Sequence, residues 1–122
     1  LVGSEMCIRD SVYLPESIEY IENYAFQYDA KLKEITIPSK VPKIENHTFD
    51  NCPELTTMTI KNPNIELAKK GMPMNLKTIY GFRNSTAQQY AEENGIEFIS
   101  IDIDNSYSKF KLRIVDIFLI HI

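Results

Sequence analysis

The chain has 122 residues, of which 43% are hydrophobic and 25% are charged, and its formal net charge is −4. This length and composition predict one globular domain with its own buried core. The acidic balance, without a cluster of Lys and Arg, argues against nucleic acid or an anionic membrane surface as a partner. Two cysteines provide neither a disulfide framework nor a zinc site, and no apolar run reaches the roughly 18 residues of a membrane-spanning helix. Histidine and cysteine are also sparse, so we do not expect an enzyme.

Residues 1–11 contain the run EMCIRDS, which resembles the translation of a transposase adapter used in sequencing libraries. A segment of such origin is set aside in reasoning about the fold. We therefore expect residues 1–11 to be adapter-derived and the chain to be a fragment of a longer protein. Under this interpretation the lack of a signal peptide carries no information about secretion.

A repeat governs the middle of the chain. Leu14 and Ile37 are separated by the same number of residues as Phe26 and Phe49. Most other pairs of positions at this separation also keep an apolar residue or a proline. Toward the C-terminus the predicted step becomes slightly shorter, from Leu55 to Leu76 and then from Leu76 to Phe98. Such self-similarity is typical of stacked repeats, none of which buries its apolar side alone.

The recurring core of the repeat is L-x-x-I-x-I, which begins at Leu32, Leu55, Leu76 and Phe98. Because side chains alternate along a strand, we expect Ile35 and Ile37 to point inward. Glu34 and Thr36 then point outward. Stacking of successive coils in register predicts a parallel sheet along one side of the molecule.

Between the strands, apolar residues recur at spacings of three and four. This spacing predicts a short helical turn on the opposite side of each coil, with Phe26 and Phe49 as wedges into the core. Residues 62–64 predict a turn, and residues 65–69 a brief helix.

The clearest single element is a helix over residues 85–95. Ser85 and Gln88 have the spacing of a capping box. Gly95 predicts a left-handed end of the helix, after which residues 96–103 resume the strand pattern.

The last stretch, residues 105–122, breaks the repeat. Apolar and basic residues alternate over residues 109–114, as in a half-exposed strand. The stretch either caps the open end of the stacked coils or is partly mistranslated, and the sequence leaves both alternatives open. Residues 119–122 resemble the same adapter read in reverse, with Phe118 where the adapter gives serine.

The pattern I-P-x-x-V-x-x-I-x-x-x-x-F-x-x-C-x-x-L-x-x-I-x-I at residues 37–60 resembles the BspA-like leucine-rich repeat. Residues 78–98, with an I-Y-G strand followed by S-T-A-x-x-Y-A-x-x-N-G, resemble the end of such arrays. The chain departs from the family at Glu22 and Glu45, where glycine is usual, and at Thr48, where alanine is usual.

This resemblance implies an α/β fold, a leucine-rich-repeat solenoid of about four coils over residues 12–104. Short parallel strands lie on one face of such a solenoid and short helical turns on the other. It also implies a non-catalytic, protein-binding module of a secreted or cell-surface protein, with a role in adhesion. An accessory array on a longer secreted enzyme is the alternative, and a structural spacer is a third. The resemblance supplies no catalytic residue, cofactor or metal.

The outward strand positions form the candidate protein-binding face, since the exposed side of a stacked sheet is the usual contact surface of repeat proteins. The predicted residues of this face are Tyr13, Glu34, Thr36, Thr57, Thr59, Thr78, Tyr80 and Asp102, and Ser100 is expected to continue the row of Glu34, Thr57 and Thr78. Tyrosines are enriched in binding hot spots. The alternative is a solvated sheet whose threonines and tyrosines reflect β propensity.

Other candidate sites are weaker. His47, Asp50 and Cys52 lie close in sequence, whereas catalytic Cys and His partners normally meet through the fold. Cys52 occupies a repeat position where the family often has cysteine, so the resemblance implies a small buried thiol. Asp102-x-Asp104 lacks the glycine and distal glutamate of a calcium loop. Residues 46–48 and 84–86 match the glycosylation sequon, which has meaning only in a secreted eukaryotic protein.

Overall fold

A computed structural model of the chain describes residues 11–102. Its elements follow in chain order as β1 (Ser11–Val12), β2 (Glu34–Ile37), β3 (Lys43–Ile44), β4 (Thr57–Ile60), β5 (Glu66–Leu67), β6 (Thr78–Gly81), α1 (Thr86–Glu93) and β7 (Glu97–Ser100). The strands are short and widely separated along the chain. One coil of backbone therefore lies between each strand of the main sheet and the next.

The main sheet has five parallel strands in the order β1-β2-β4-β6-β7. Ile35 pairs with Met58, and Met58 with Ile79, so equivalent positions of successive coils lie side by side. The predicted alternation is confirmed in β2, where Ile35 and Ile37 are buried while Glu34 is exposed and Thr36 is half-buried. The sheet therefore has one apolar face and one face toward solvent.

The core lies between the sheet and the turns opposite it. The leucines that open the repeat motif, Leu32, Leu55 and Leu76, are all buried. Phe26 and Phe49 are buried too, and their rings stack with centroids 5.5 Å apart and an interplanar angle of 8°. Such a pair contributes about 0.5–1.5 kcal/mol beyond its burial. The predicted role of the two phenylalanines as wedges is confirmed.

Residues 65–69 do not form the brief helix that we expected. They contain β5, which pairs in parallel with β3 in a second, two-stranded sheet. The backbone N–H of Glu66 donates to the Pro42 carbonyl at 2.9 Å, and that of Ala68 to the Ile44 carbonyl at 3.0 Å. The preceding coil thus supplies the acceptors, and so short a helix is too weak to compete.

The segments around the two core phenylalanines also differ from the prediction, because they form irregular turns where short helical turns were expected. Tyr24 and Tyr28 have left-handed φ values of 65° and 63°. His47 and Asn51, their equivalents in the next coil, repeat this geometry with 66° and 57°. A left-handed residue interrupts a right-handed helix, so neither stretch can continue as a helix.

The predicted helix is confirmed as α1. The Ser85 hydroxyl accepts the backbone N–H of Gln88 at 3.1 Å, so Ser85 is the N-cap. Gly95 has φ +65°, and the N–H of Ile96 donates to the Ala91 carbonyl at 2.8 Å. This is the Schellman arrangement that satisfies the last carbonyls of a helix.

The last strand pairs in an earlier register than we predicted. The sequence pattern placed Ile101 opposite Ile79, whereas the structure pairs Phe98 with Ile79, so the final step is shorter than the others. The coil is short because α1 leads into β7 through residues 94–96 alone. Phe98 then packs close to Gly81, where an added Cβ would lie 3.2 Å from the phenylalanine ring.

Several expectations fall outside the described part of the chain, which excludes residues 1–10 and 103–122. They are the adapter-derived origin of the two ends, the limit of the repeat domain at residue 104 and the alternating pattern at residues 109–114. These stay predictions.

Candidate functional site

The outward side chains of the main sheet form two rows. The register aligns the first row as Glu34, Thr57, Thr78 and Glu97. It aligns the second row as Thr36, Thr59, Tyr80 and Ile99, with Tyr13 directly after Val12, the partner of Ile35. Neighbouring strands of a sheet lie about 4.8 Å apart, so each row is a regular ladder of side chains. We call these two rows together the sheet face.

Seven of the predicted face residues lie in these rows, but Asp102 does not. The shorter final step places Ile99 at the end of the second row, and Glu97 instead of Ser100 at the end of the first. The missed signal is the alternation of Glu97, Phe98 and Ile99, which matches the outward–inward–outward order of Thr78, Ile79 and Tyr80. The L-x-x-I-x-I pattern that begins at Phe98 concealed it.

Asp102 has a different role, at the end of the sheet. Its carboxylate accepts the backbone N–H of Arg83 at 3.3 Å and the Nε–H of the same residue at 3.4 Å. The Ser100 hydroxyl also donates to it, and this hydrogen bond is the main cause that holds the pKa of Asp102 below its ordinary value. Asp102 therefore ties the turn after β6 to the end of β7.

The chemistry of the sheet face is that of hydroxyl groups and aromatic rings. A shallow depression of about 380 Å³ lies over β2, β4 and β6. The Thr78 hydroxyl donates to the Glu97 carboxylate at 3.3 Å, and Tyr13 at one end is 75% exposed. Hydroxyl groups both donate and accept hydrogen bonds. The face can therefore hold polar groups of a partner, with aromatic side chains in the second row.

The cluster of His47, Asp50 and Cys52 consists of scaffold contacts. His47 Nδ1 lies 2.7 Å from Asp50 Oδ2, and its imidazole stacks on the ring of Tyr24. Cys52 is fully buried, as predicted, and its thiol donates to the carbonyl of Phe26 at 2.9 Å. A nucleophile must reach solvent or substrate, and this thiol faces the core.

The remaining candidates are also used by the scaffold. The side-chain carbonyl of Asn46 accepts the backbone N–H of Lys70 at 2.9 Å, and the Thr86 hydroxyl donates to the carbonyl of Ile65 at 2.6 Å. Asn46 belongs to the first of the two sequons and Thr86 to the second. Within residues 11–102, no group of three His, Cys, Asp or Glu side chains has a metal-binding arrangement. The helix within the same residues is too short to span a membrane.

The repeat geometry agrees with a comparison against known protein families. The model of the BspA type leucine rich repeat region matches residues 5–114, in six copies. The chain belongs to this family. Leucine-rich repeats imply a solenoid-like α/β fold, and their modules are generally non-catalytic and bind proteins. No curated protein and no solved structure matches the chain.

The BspA-type match is wider than the repeat domain that we predicted over residues 12–104. It begins at residue 5 and ends at residue 114, so it includes parts of both terminal segments. Six copies also exceed the expected number of about four coils. Members of this family are typically surface or secreted proteins.

Proposed function

We propose that this BspA-type chain is a non-catalytic module that binds a protein through the sheet face. In this proposal the coils continue as a solenoid, and the face extends with each added coil. The observation that carries the proposal is the pair of outward rows, which share one register across five strands. A surface of this regularity suits an extended polypeptide or the flat side of a folded partner.

The composition of the face supports the proposal. The second row has Tyr13 at one end and Tyr80 near the other, with Thr36 and Thr59 between them. Tyrosine offers a large contact area and a hydroxyl group, and it loses little conformational entropy on binding. Threonine is short, so it leaves the middle of the row open to a partner.

Binding can be tested by surface plasmon resonance with the full chain immobilised against a panel of purified extracellular proteins. We expect at least one partner with a micromolar or lower Kd, and a loss of tenfold or more in the Tyr80→Ala variant. Gln89→Ala on the exposed side of α1 is the matched control and should bind as the original chain does. A partner that both variants hold equally well argues against the sheet face.

We also propose a secreted or cell-surface, adhesion-like role, which rests on the typical location of the family. The test is protease treatment of intact source cells, followed by detection with an antibody against residues 11–102. Loss of the signal without cell lysis is the expected result. A signal that survives on intact cells and disappears only after lysis would place the protein inside.

A further inference from the structure

The segment between β1 and β2, which contains Phe26, has a second set of exposed side chains. It carries Tyr20, Tyr24 and Tyr28, whose exposed fractions are 60%, 52% and 68%. These three residues lie close together in the sequence, and we call them the tyrosine turn. Large aromatic side chains at this level of exposure are a feature of binding surfaces more than of scaffolds.

The fold does not need tyrosine at these positions. Tyr24 and Tyr28 occupy left-handed backbone, which disfavours residues with a bulky side chain. The next coil builds the same turn with His47 and Asn51, and asparagine tolerates this geometry far better. Since Tyr28 is mostly exposed, burial does not compensate for the strain. Strain kept at an exposed residue is an indication of function.

Acidic residues predominate in the segment that carries the tyrosine turn. Residues 12–30 contain four of the 17 acidic residues and none of the 13 Lys and Arg residues. Lys31 and Lys33 follow before β2, so residues 12–33 contain four acidic and two basic residues. Glu16 pairs with Lys61 at 2.9 Å and Asp29 is buried. Glu19 and Glu22, beside the tyrosines, are exposed.

We propose that the tyrosine turn is a docking site for a lysine- or arginine-rich segment of a partner protein. A cation over the face of a tyrosine ring is attracted by the π electrons, and the neighbouring carboxylates of Glu19 and Glu22 accept its N–H groups. His47 stacks on Tyr24, with ring centroids 5.3 Å apart. One face of the Tyr24 ring is therefore covered, and the rings of Tyr20 and Tyr28 are the main contacts for a cation.

The probe is a pair of fluorescein-labelled dodecapeptides, one alternating Arg and Ser and the other alternating Glu and Ser. Binding to the full chain is measured by fluorescence anisotropy. We expect the arginine peptide to bind, the glutamate peptide not to bind, and affinity to fall as salt is added. Absence of arginine-peptide binding at 100 µM protein, or equal binding of both peptides, would overturn the proposal.

Variants separate this site from general charge attraction. Tyr28→Asn installs the residue of the next coil, and it should weaken arginine-peptide binding at least fivefold without loss of folded signal. Glu19→Gln with Glu22→Gln should weaken it as well. The matched control is Glu92→Gln with Glu93→Gln on α1, which removes the same charge elsewhere and should leave binding within twofold.

Three results would contradict the docking site. If the α1 control weakens binding as much as the Glu19 and Glu22 variant, net charge alone explains the attraction. If Tyr80→Ala weakens it as much as Tyr28→Asn, the sheet face holds the peptide. If the chain dimerises by light scattering and Tyr28→Asn abolishes the dimer, the occupant is a second copy of the chain.

Discussion

Replacement of Tyr28 by Asn should make the chain more stable. Tyr28 has φ 63°, and left-handed backbone costs a residue with a Cβ roughly 1–2 kcal/mol. Asparagine recovers part of this, as Asn51 shows at the equivalent position with φ 57°. The side chain is mostly exposed, and the Tyr28 N–H bond to the Asp50 carbonyl at 2.8 Å involves backbone only. We expect a net gain of about 0.5–1 kcal/mol in the free energy of unfolding.

For a domain of about 100 residues this gain corresponds to a Tm increase of roughly 2–8 °C. The assay is thermal unfolding followed by circular dichroism, together with urea unfolding to check that the m-value is unchanged. Tyr20→Asn is the matched control, because Tyr20 is similarly exposed but has no left-handed φ. If the two variants shift Tm equally, or if Tyr28→Asn is the less stable one, the strain argument is refuted.

Gly71→Ala should destabilise by about 1–3 kcal/mol, because the new Cβ would lie 2.8 Å from the backbone oxygen of Glu45. Gly95 has φ +65° and open space around it, so Gly95→Asn should destabilise the chain less than Gly95→Ala. At Gly71 the order should be reversed, and Gly71→Asn should destabilise more than Gly71→Ala. Urea unfolding measures both differences. The hydrogen bonds that lower the pKa of Asp102 stabilise the fold above its ordinary pKa of 3.8. The unfolding midpoint should therefore decrease more between pH 5 and pH 3 for the original chain than for Asp102→Asn. Equal decreases would contradict this.

The strands of the middle coils could be predicted from the sequence because two signals agree. Apolar residues alternate within each strand, and the whole pattern recurs from one coil to the next. The register then follows from the repeat, which is why Glu34, Thr57 and Thr78 were correctly assigned to one row. Helix α1 was predictable for a local reason, since both of its ends have capping residues of their own.

Features set by the neighbouring coil could not be predicted in this way. β5 is very short, and the N–H groups of Glu66 and Ala68 donate to carbonyls of the preceding coil, so local propensity carries no signal for it. The shorter final step depends on how tightly α1 leads into β7, and a second apolar pattern at residues 98–103 favoured the wrong register. Burial of Asp29 at the position that Cys52 occupies in the next coil also has no local signature.

The repeats provide an internal comparison that a single copy of a fold lacks. Where two coils share a backbone conformation but differ in side chain, the fold tolerates both residues, and the choice between them has another cause. Tyr28 and Asn51 are such a pair, and the strained residue is the exposed one. The same comparison along the second row of the sheet face sets Tyr80 against Thr59. These two tyrosines lie on different surfaces, so Tyr28→Asn and Tyr80→Ala should weaken different partners, and a single partner sensitive to both would have to contact both surfaces.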